Sequence, residues 1–464
     1  MKDTVKKEGK RKLSVAELSC YGIGNCIGSG IFVSMGTAIG FTGRSITLAL
    51  VVACIVVLFA YAYKTLMSGM FVLPGGNYSQ SALLQPPLLV GVTAISSLFS
   101  GLAFAMYGLS VVEYASIIFP QIAPYGKFIA IGIITLFFAT TFMGGKFMGK
   151  FNLVMVGVLI LSLLVYIFAG LPKVDFSTAN PLSEGYFSGG PFGFIMAVAM
   201  MSFACQGATR PIEMTPDAKD PKRTLPKAIL IASFVVMVVY VLIAIVTAGV
   251  LPIEQVADKN LGVVAEKIFP HAIYVIFTLG GACFAIATSL YGAIAGVQHP
   301  MLATIEDGWL PSFLGKKTKK GYPWVMMLVL YIIAIVPVFV DMGLDDLISL
   351  MMIPVMILNL INNCLMFKIL KKYPEAWKNS FFHMPKFAFN ITIVLAIIAD
   401  LLISVSLFTT LEPGDQYFMI GMVVFLFAFS FYRIKSGKID LKALEIAKEQ
   451  AQKAVEESMS VNQA

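Results

Sequence analysis

Charge is scarce in this sequence. Asp, Glu, Lys and Arg make up 13% of its 464 residues, and hydrophobic residues make up 58%. A soluble domain carries roughly 25% charged residues. So few charges cannot cover a water-facing surface, which excludes a string of soluble domains and leaves one membrane-embedded unit. Histidine is scarcer still. His271, His299 and His383 are dispersed, so no metal or acid–base cluster is visible; the chain is expected to be no enzyme and to need no cofactor. The six cysteines form neither a disulfide framework nor a CxxC pair. No secretory signal is read, because the basic start (Lys2 to Lys12) runs into a long apolar stretch without a small-residue cleavage site. Short alternating segments are lacking, which argues against a membrane β-barrel. A membrane receptor or sensor is the alternative from another class, but it should carry an output domain and the C-terminal tail is too short for one. No channel filter sequence is seen.

Long apolar runs are abundant. A spanning helix needs about 20 apolar residues, and roughly twelve segments qualify: about 14–40, 46–69, 88–117, 126–142, 151–170, 190–215, 228–250, 272–303, 324–340, 345–369, 387–409 and 416–432. The net charge of +8 points to membrane topology and not to nucleic acid, because the basic residues sit in loops between apolar runs. Of the 34 lysines and arginines, only Arg44, Lys127, Lys173, Lys259 and Lys267 fall on one side, and Lys64 and Arg210 within segments. The rest lie on the other side, which the positive-inside rule makes cytoplasmic, with both termini. The expected protein is an all-α polytopic protein of the inner (plasma) membrane, with the bilayer as a partner. Residues 1–13 form a cytoplasmic tail, 14–432 the membrane domain, and 433–464 a second tail whose stretch 436–457 reads as a solvated, charged helix.

Two segments invite interruption. The first holds four glycines between Gly22 and Gly30, which is poor for helix continuity. The sixth holds Gln206, Gly207 and Pro211. Irregular backbone within a membrane is tolerated only where protein or a water-filled cavity satisfies it. Interruptions at matched positions, first and sixth, point to two inverted five-helix halves (about 14–170 and 190–369, followed by two helices at about 387–432) with a midplane site. Close packing through small residues is the other reading. A broken helix offers free N–H groups to a carboxylate and free carbonyls to an ammonium or a sodium ion. A zwitterionic amino acid carries both charges.

The motifs resemble the amino acid–polyamine–organocation superfamily, which has the leucine-transporter fold. The resemblance rests on Gly24-Asn25-Cys26-Ile27-Gly28-Ser29-Gly30-Ile31-Phe32, on Leu73-Pro74-Gly75-Gly76-Asn77-Tyr78, on the stretch from Lys219-Asp220-Pro221 to Ala228, and on Asp307-Gly308-Trp309-Leu310-Pro311 followed by Gly321-Tyr322-Pro323. It implies secondary transport of an amino acid by alternating access. The implied substrate site runs over Asn25, Cys26, Ile27, Gly28, Ser29 and Gly30 and over Phe203, Ala204, Gln206 and Gly207. Ser29 and the N–H groups around Gly30 would hold the carboxylate, with Asn25 nearby. Carbonyls near Cys26, Phe203 and Gln206 would hold the ammonium, and Phe203 would close over the substrate. The sequence departs from the family at Gln298 and His299, where Ser-Arg is common, at Thr209, where Glu is common, and in helix 2, which lacks the usual acid.

The resemblance also bears on the driving ion. Many relatives carry a lysine in helix 5 where Leu159 stands. Ala285, Thr288 and Ser289 share one helical face; with carbonyls of Gly24 and Ile27 they would give five hard oxygens for sodium. Proton coupling and exchange stay open, and the two hydroxyls could simply bond back within their helix. Intramembrane charges are functional candidates. Arg210 and Glu213 are spaced to pair with each other. Glu113 and Asp400 are expected near segment ends, and Lys64 to snorkel inward. No carboxylate sits at the breaks, so a neutral substrate is favoured. Asn359, Asn362 and Asn363 either line the path or bond between helices.

Overall fold

The computed structural model describes residues 12–73, 76–143, 145–181, 186–318, 322–437 and 439. The N-terminal lysines before Lys12, Pro74, Gly75, Gly321 and the tail from residue 440 onward lie outside the described residues. The chain is 84% helical with no strand among the described residues, and is an all-α polytopic membrane protein. Among the described residues ten helical runs are long and apolar enough to cross a membrane, and a shorter apolar helix, Trp324–Phe339, occupies the ninth predicted segment.

Local sequence sets the helix ends. Ser14 accepts from the backbone N–H of Glu17 while the Glu17 side chain returns to the Ser14 N–H, a capping box that starts Val15–Cys26. Helices Pro221–Gly249 and Pro413–Lys435 begin at proline, whose missing N–H costs nothing there. The second segment differs from expectation: Ile46–Ala60 and Ala62–Met70 are separate helices about a kink at Tyr61. The third carries a 3₁₀ turn at Ser97–Ser100, where the Ser97 and Ser100 hydroxyls bond back to Ala94 and Ser97 carbonyls and compete with the ladder. The eighth is not one helix. It widens into a π-helix over Phe277–Cys283, continues as Phe284–Gly296, and ends in a separate helix Gln298–Glu306. Gly280 and Gly281 ease that widening.

Loops group into two sets. The backbone of Leu13 exchanges hydrogen bonds with Asp217 and Lys219, so the N-terminal tail meets the loop after segment 6. Asp258 N–H donates to Gly36 O and Asp175 N–H to Gly249 O, while Arg44 donates to Ala248 O at 2.7 Å. These are the loops that the sequence places opposite the tail. Between the two sets, the sixth segment Gly190–Thr215 is 78% buried and the fourth, Pro120–Thr140, only 22%. The sixth is therefore central and the fourth lipid-facing. The second half of segment 1 packs along the sixth, and Leu344–Met366 along Lys386–Thr410.

Candidate functional site at the paired helix interruptions

The first segment is two helices, Val15–Cys26 and Ser29–Thr42. Ile27 leaves helical geometry (φ −72°, ψ 89°), and Gly28 is extended in φ (−165°) with ψ −133°. The first N–H groups of the second helix and the last carbonyls of the first have no partner within their own helix. The sixth segment behaves differently. It does not unwind between Phe203 and Gly207; the α-helix Gly190–Cys205 passes directly into a 3₁₀ helix, Gln206–Asp217, with Met214 outside helical geometry. Gln206, Gly207 and Pro211 lie where the α-helical ladder is interrupted by tightening to 3₁₀ bonding, which still uses most backbone groups.

Small residues bring the two interruptions together. A Cβ on Gly30 would lie 2.6 Å from Ala204 Cα, and one on Gly207 would lie 2.4 Å from Asn25 O and 2.6 Å from Cys26 N. Around this contact, Cys26 Sγ donates to Cys205 O at 3.3 Å, and the sulfurs of Cys54 and Cys205 lie 3.3 Å apart. Tyr240 donates to Cys26 O at 2.5 Å and approaches Ala204 O at 3.4 Å. A phenol thus occupies carbonyls at both interruptions. Tyr61 donates to Gln206 Oε1 at 2.8 Å, and Thr209 to Gln206 O at 3.0 Å.

Cys26, Ile27, Gly28, Gly30, Ala204, Gln206 and Gly207 gather here. Phe203 is buried within the α-helical part of the sixth segment. Asn25 is exposed, and its amide is spent on Tyr21 O at 2.8 Å, one turn back in its own helix; only its backbone reaches Gly207. Ser29 begins the second helix, and its side chain lies outside the described residues, as does that of His299.

The eighth segment closes the other flank. A Cβ on Gly28 would meet Ser289 Oγ at 2.3 Å and Ala285 O at 3.5 Å. Thr288 and Ser289 donate to Ala285 O at 2.7 and 3.2 Å, so both hydroxyls are turned onto their own helix. Leu159 is buried in a helix that packs on this one.

Among the charges, Arg210 and Glu213 form the i, i+3 pair at 3.6 Å. Glu113 receives Asn260 Nδ2 at 3.4 Å. Two readings need correction. Asp400 is not near an end: it sits in the body of Lys386–Thr410 with no solvent exposure. Lys64 is largely buried, 9% exposed, and its ammonium is turned to the Tyr61 ring, 4.3 Å from the centroid. Asn362 and Asn363 bond between helices, to Ser81 and Gln85 and to Asp400 and Ala60. Tyr61 and Tyr240 escaped sequence reasoning; their only signal was a phenol inside an otherwise apolar run.

A buried helix interruption pressed against a change of helix type in a second membrane-spanning segment fits a membrane transporter core. Residues 13–432 match the family model described as amino acid permease, and the chain belongs to that family. It is 30% identical over 322 residues to an uncharacterised protein of Methanocaldococcus jannaschii, covering 66% of this chain and 71% of that one. The inner membrane transport protein YbaT of Escherichia coli is 24% identical over 358 residues, 74% and 80% of the two chains. The branched-chain amino acid permease BcaP of Bacillus subtilis is 26% identical over 336 residues, 67% and 70%.

Proposed function

We propose that this permease moves a neutral amino acid across the inner membrane by alternating access, from a site between Cys26–Gly30 and Ala204–Gly207, within a leucine-transporter-type fold of two inverted five-helix repeats and with both termini cytoplasmic. The observation that carries this reading is the contact of the two interruptions through Gly30 and Gly207. N–H groups at the start of Ser29–Thr42 suit a carboxylate, and carbonyls at the end of Val15–Cys26 suit an ammonium. Substrate entry displaces the Tyr240 hydroxyl from Cys26 O. Arg210 and Glu213, in the same 3₁₀ stretch as Gln206 and Gly207, neutralise each other, so a charged side chain gains no counter-ion from them. The naming of BcaP as a branched-chain amino acid permease agrees, since branched-chain amino acids are neutral.

Sodium is the proposed coupling ion. Ala285 O and the Ser289 hydroxyl stand against Gly28, and the Thr288 hydroxyl bonds the same Ala285 O, so the three would offer a neutral set of hard oxygens that fits a monovalent hard cation. Bound there, the ion would supply positive charge that ties segment 1 to segment 8. The hydroxyls would turn from Ala285 O to face it. Purified protein in liposomes, given a panel of labelled amino acids with sodium or choline, tests both parts. Accumulation of neutral amino acids that depends on sodium is expected. Uptake of cationic substrates alone would refute neutrality, and equal uptake in choline would refute the ion.

A further inference from the structure

Segments 2, 10 and 11 enclose a second polar centre. Asp400 is fully buried in the body of Lys386–Thr410, whose only other charge is Lys386 at its start. Asp400 Oδ2 accepts from Asn363 Nδ2 at 2.7 Å, and Oδ1 has no hydrogen-bond partner among the described residues. Asn363, itself fully buried, is held at the Tyr61 kink: it donates to Ala60 O at 3.0 Å and accepts from Tyr63 N–H at 3.1 Å. The next residue, Lys64, lies over the Tyr61 ring at 4.3 Å and near Tyr63 at 5.8 Å. It makes no ion pair among the described residues, although it sits in the electrostatic field of Asp400.

A dry carboxylate with one bare oxygen and no cation in contact is strongly disfavoured, whereas a neutral carboxyl in the same place gives up at most one hydrogen bond. We propose that Asp400 is a proton-binding site of the transport cycle. Its carboxyl holds a proton in the conformation described here, and releases it to water when Lys64 leaves Tyr61 and closes on the carboxylate. The proton leaves the carboxyl oxygen for water, and the carboxylate so formed pairs with the Lys64 ammonium.

The other groups around the site are few. Tyr61, Tyr63 and Cys364 lie in the field of Asp400. Arg210 and Glu213 act on Lys64 as a mutual pair. Of the remaining neighbours, Ile46–Ala60 and Gly190–Cys205 contribute only Cys54 and Cys205, and Asp345 and Asp346 lie at the opposite end of Leu344–Met366. None supplies Asp400 with a permanent cation, so Lys64 is the partner that decides its charge.

The site can speak to the substrate. Tyr61, under Lys64, bonds Gln206 at the second interruption, and Ala62–Met70 packs on Gln206–Asp217 and on Pro221–Gly249. A proton that binds one conformer more tightly must shift the equilibrium between conformers, and substrate must in turn shift proton affinity. Only this coupling rests on the transport reading above; proton binding does not.

Two measurements separate these. In an infrared pH titration of the purified full chain, wild type should show the C=O band of a protonated carboxyl at neutral pH, and Asp400→Asn should lack it. In Lys64→Met the band should persist to higher pH, because the partner that draws the proton off is gone. A wild-type protein without the band, or an Asp400→Asn protein that keeps it, overturns the site. In proteoliposomes with a trapped pH dye, labelled leucine or threonine uptake should move protons and vary with pH. Asp400→Asn, neutral at every pH, and Lys64→Met should each remove both effects. An unchanged pH profile in the two variants overturns the coupling. Failure of wild type to take up either probe would count against the transport reading, while the infrared result would still decide the proton site.

Discussion

Gly30 is where the site is tightest. Replacing it with alanine places a Cβ 2.6 Å from Ala204 Cα and 2.9 Å from Ala204 Cβ. Ordinary carbon contacts lie near 3.5–4.0 Å, so segments 1 and 6 must part by roughly 1 Å. Overpacking of this kind costs about 1–3 kcal/mol, which is a factor of roughly 5–150 in an equilibrium constant. The cost falls where N–H groups and carbonyls from both interruptions must converge on one small molecule, so Gly30→Ala should weaken substrate affinity by about 10- to 100-fold. Gly30→Val should abolish uptake. The assay is equilibrium binding of the labelled substrate to purified protein, alongside thermal unfolding. Gly157→Ala is the control, since a Cβ there meets nothing within 4 Å. Wild-type affinity in folded Gly30→Ala would refute the placement of the site.

Other residues give independent tests. Tyr240→Phe removes the donor from Cys26 O; leaving that buried carbonyl bare costs about 1–3 kcal/mol, so the unliganded conformer should lose thermal stability and recover it when saturating substrate is added, as a melting curve reads. Thr288→Ala should raise the sodium concentration for half-maximal uptake, with a smaller effect at saturating sodium; an unchanged sodium curve would remove Thr288 from the ion site. Leu159→Lys places an ammonium near the eighth segment and should make uptake sodium-independent or abolish it; sodium dependence identical to wild type would refute the assigned position. Breaking the ion pair with Glu213→Gln leaves Arg210 uncompensated beside the site, and should let an acidic amino acid compete with the neutral substrate in a competition assay where wild type excludes it.

Hydropathy made the segments legible because lipid leaves no alternative to long apolar helices. Glycine density between Gly22 and Gly30 announced the first interruption. The second was only half legible: Gln206, Gly207 and Pro211 marked a change of backbone, but not whether the helix would unwind or tighten to 3₁₀. The kink at Tyr61 carries neither glycine nor proline, and depends on Asn363, 300 residues away, to satisfy Tyr63 N–H. Tyr240 likewise acts on Cys26, 214 residues distant. Asp400 was misplaced because a single acid in an apolar run reads the same whether it faces a loop or a sealed pocket; only the packing of segments 10 and 11 distinguishes them. The hydroxyl pair Thr288–Ser289 is reached through the resemblance, and the approach of Ser289 to Gly28 is a property of the fold.

Protection of Cys26 reports whether substrate sits between the two interruptions. Its thiol is 2% exposed and lies at the first interruption against Cys205 O. In a protein whose other five cysteines are replaced, N-ethylmaleimide should alkylate Cys26 only as the site opens during the cycle. A saturating transported amino acid should slow that reaction roughly in proportion to occupancy. An alkylation rate unchanged by saturating substrate, in a protein that still transports it, would place the substrate elsewhere.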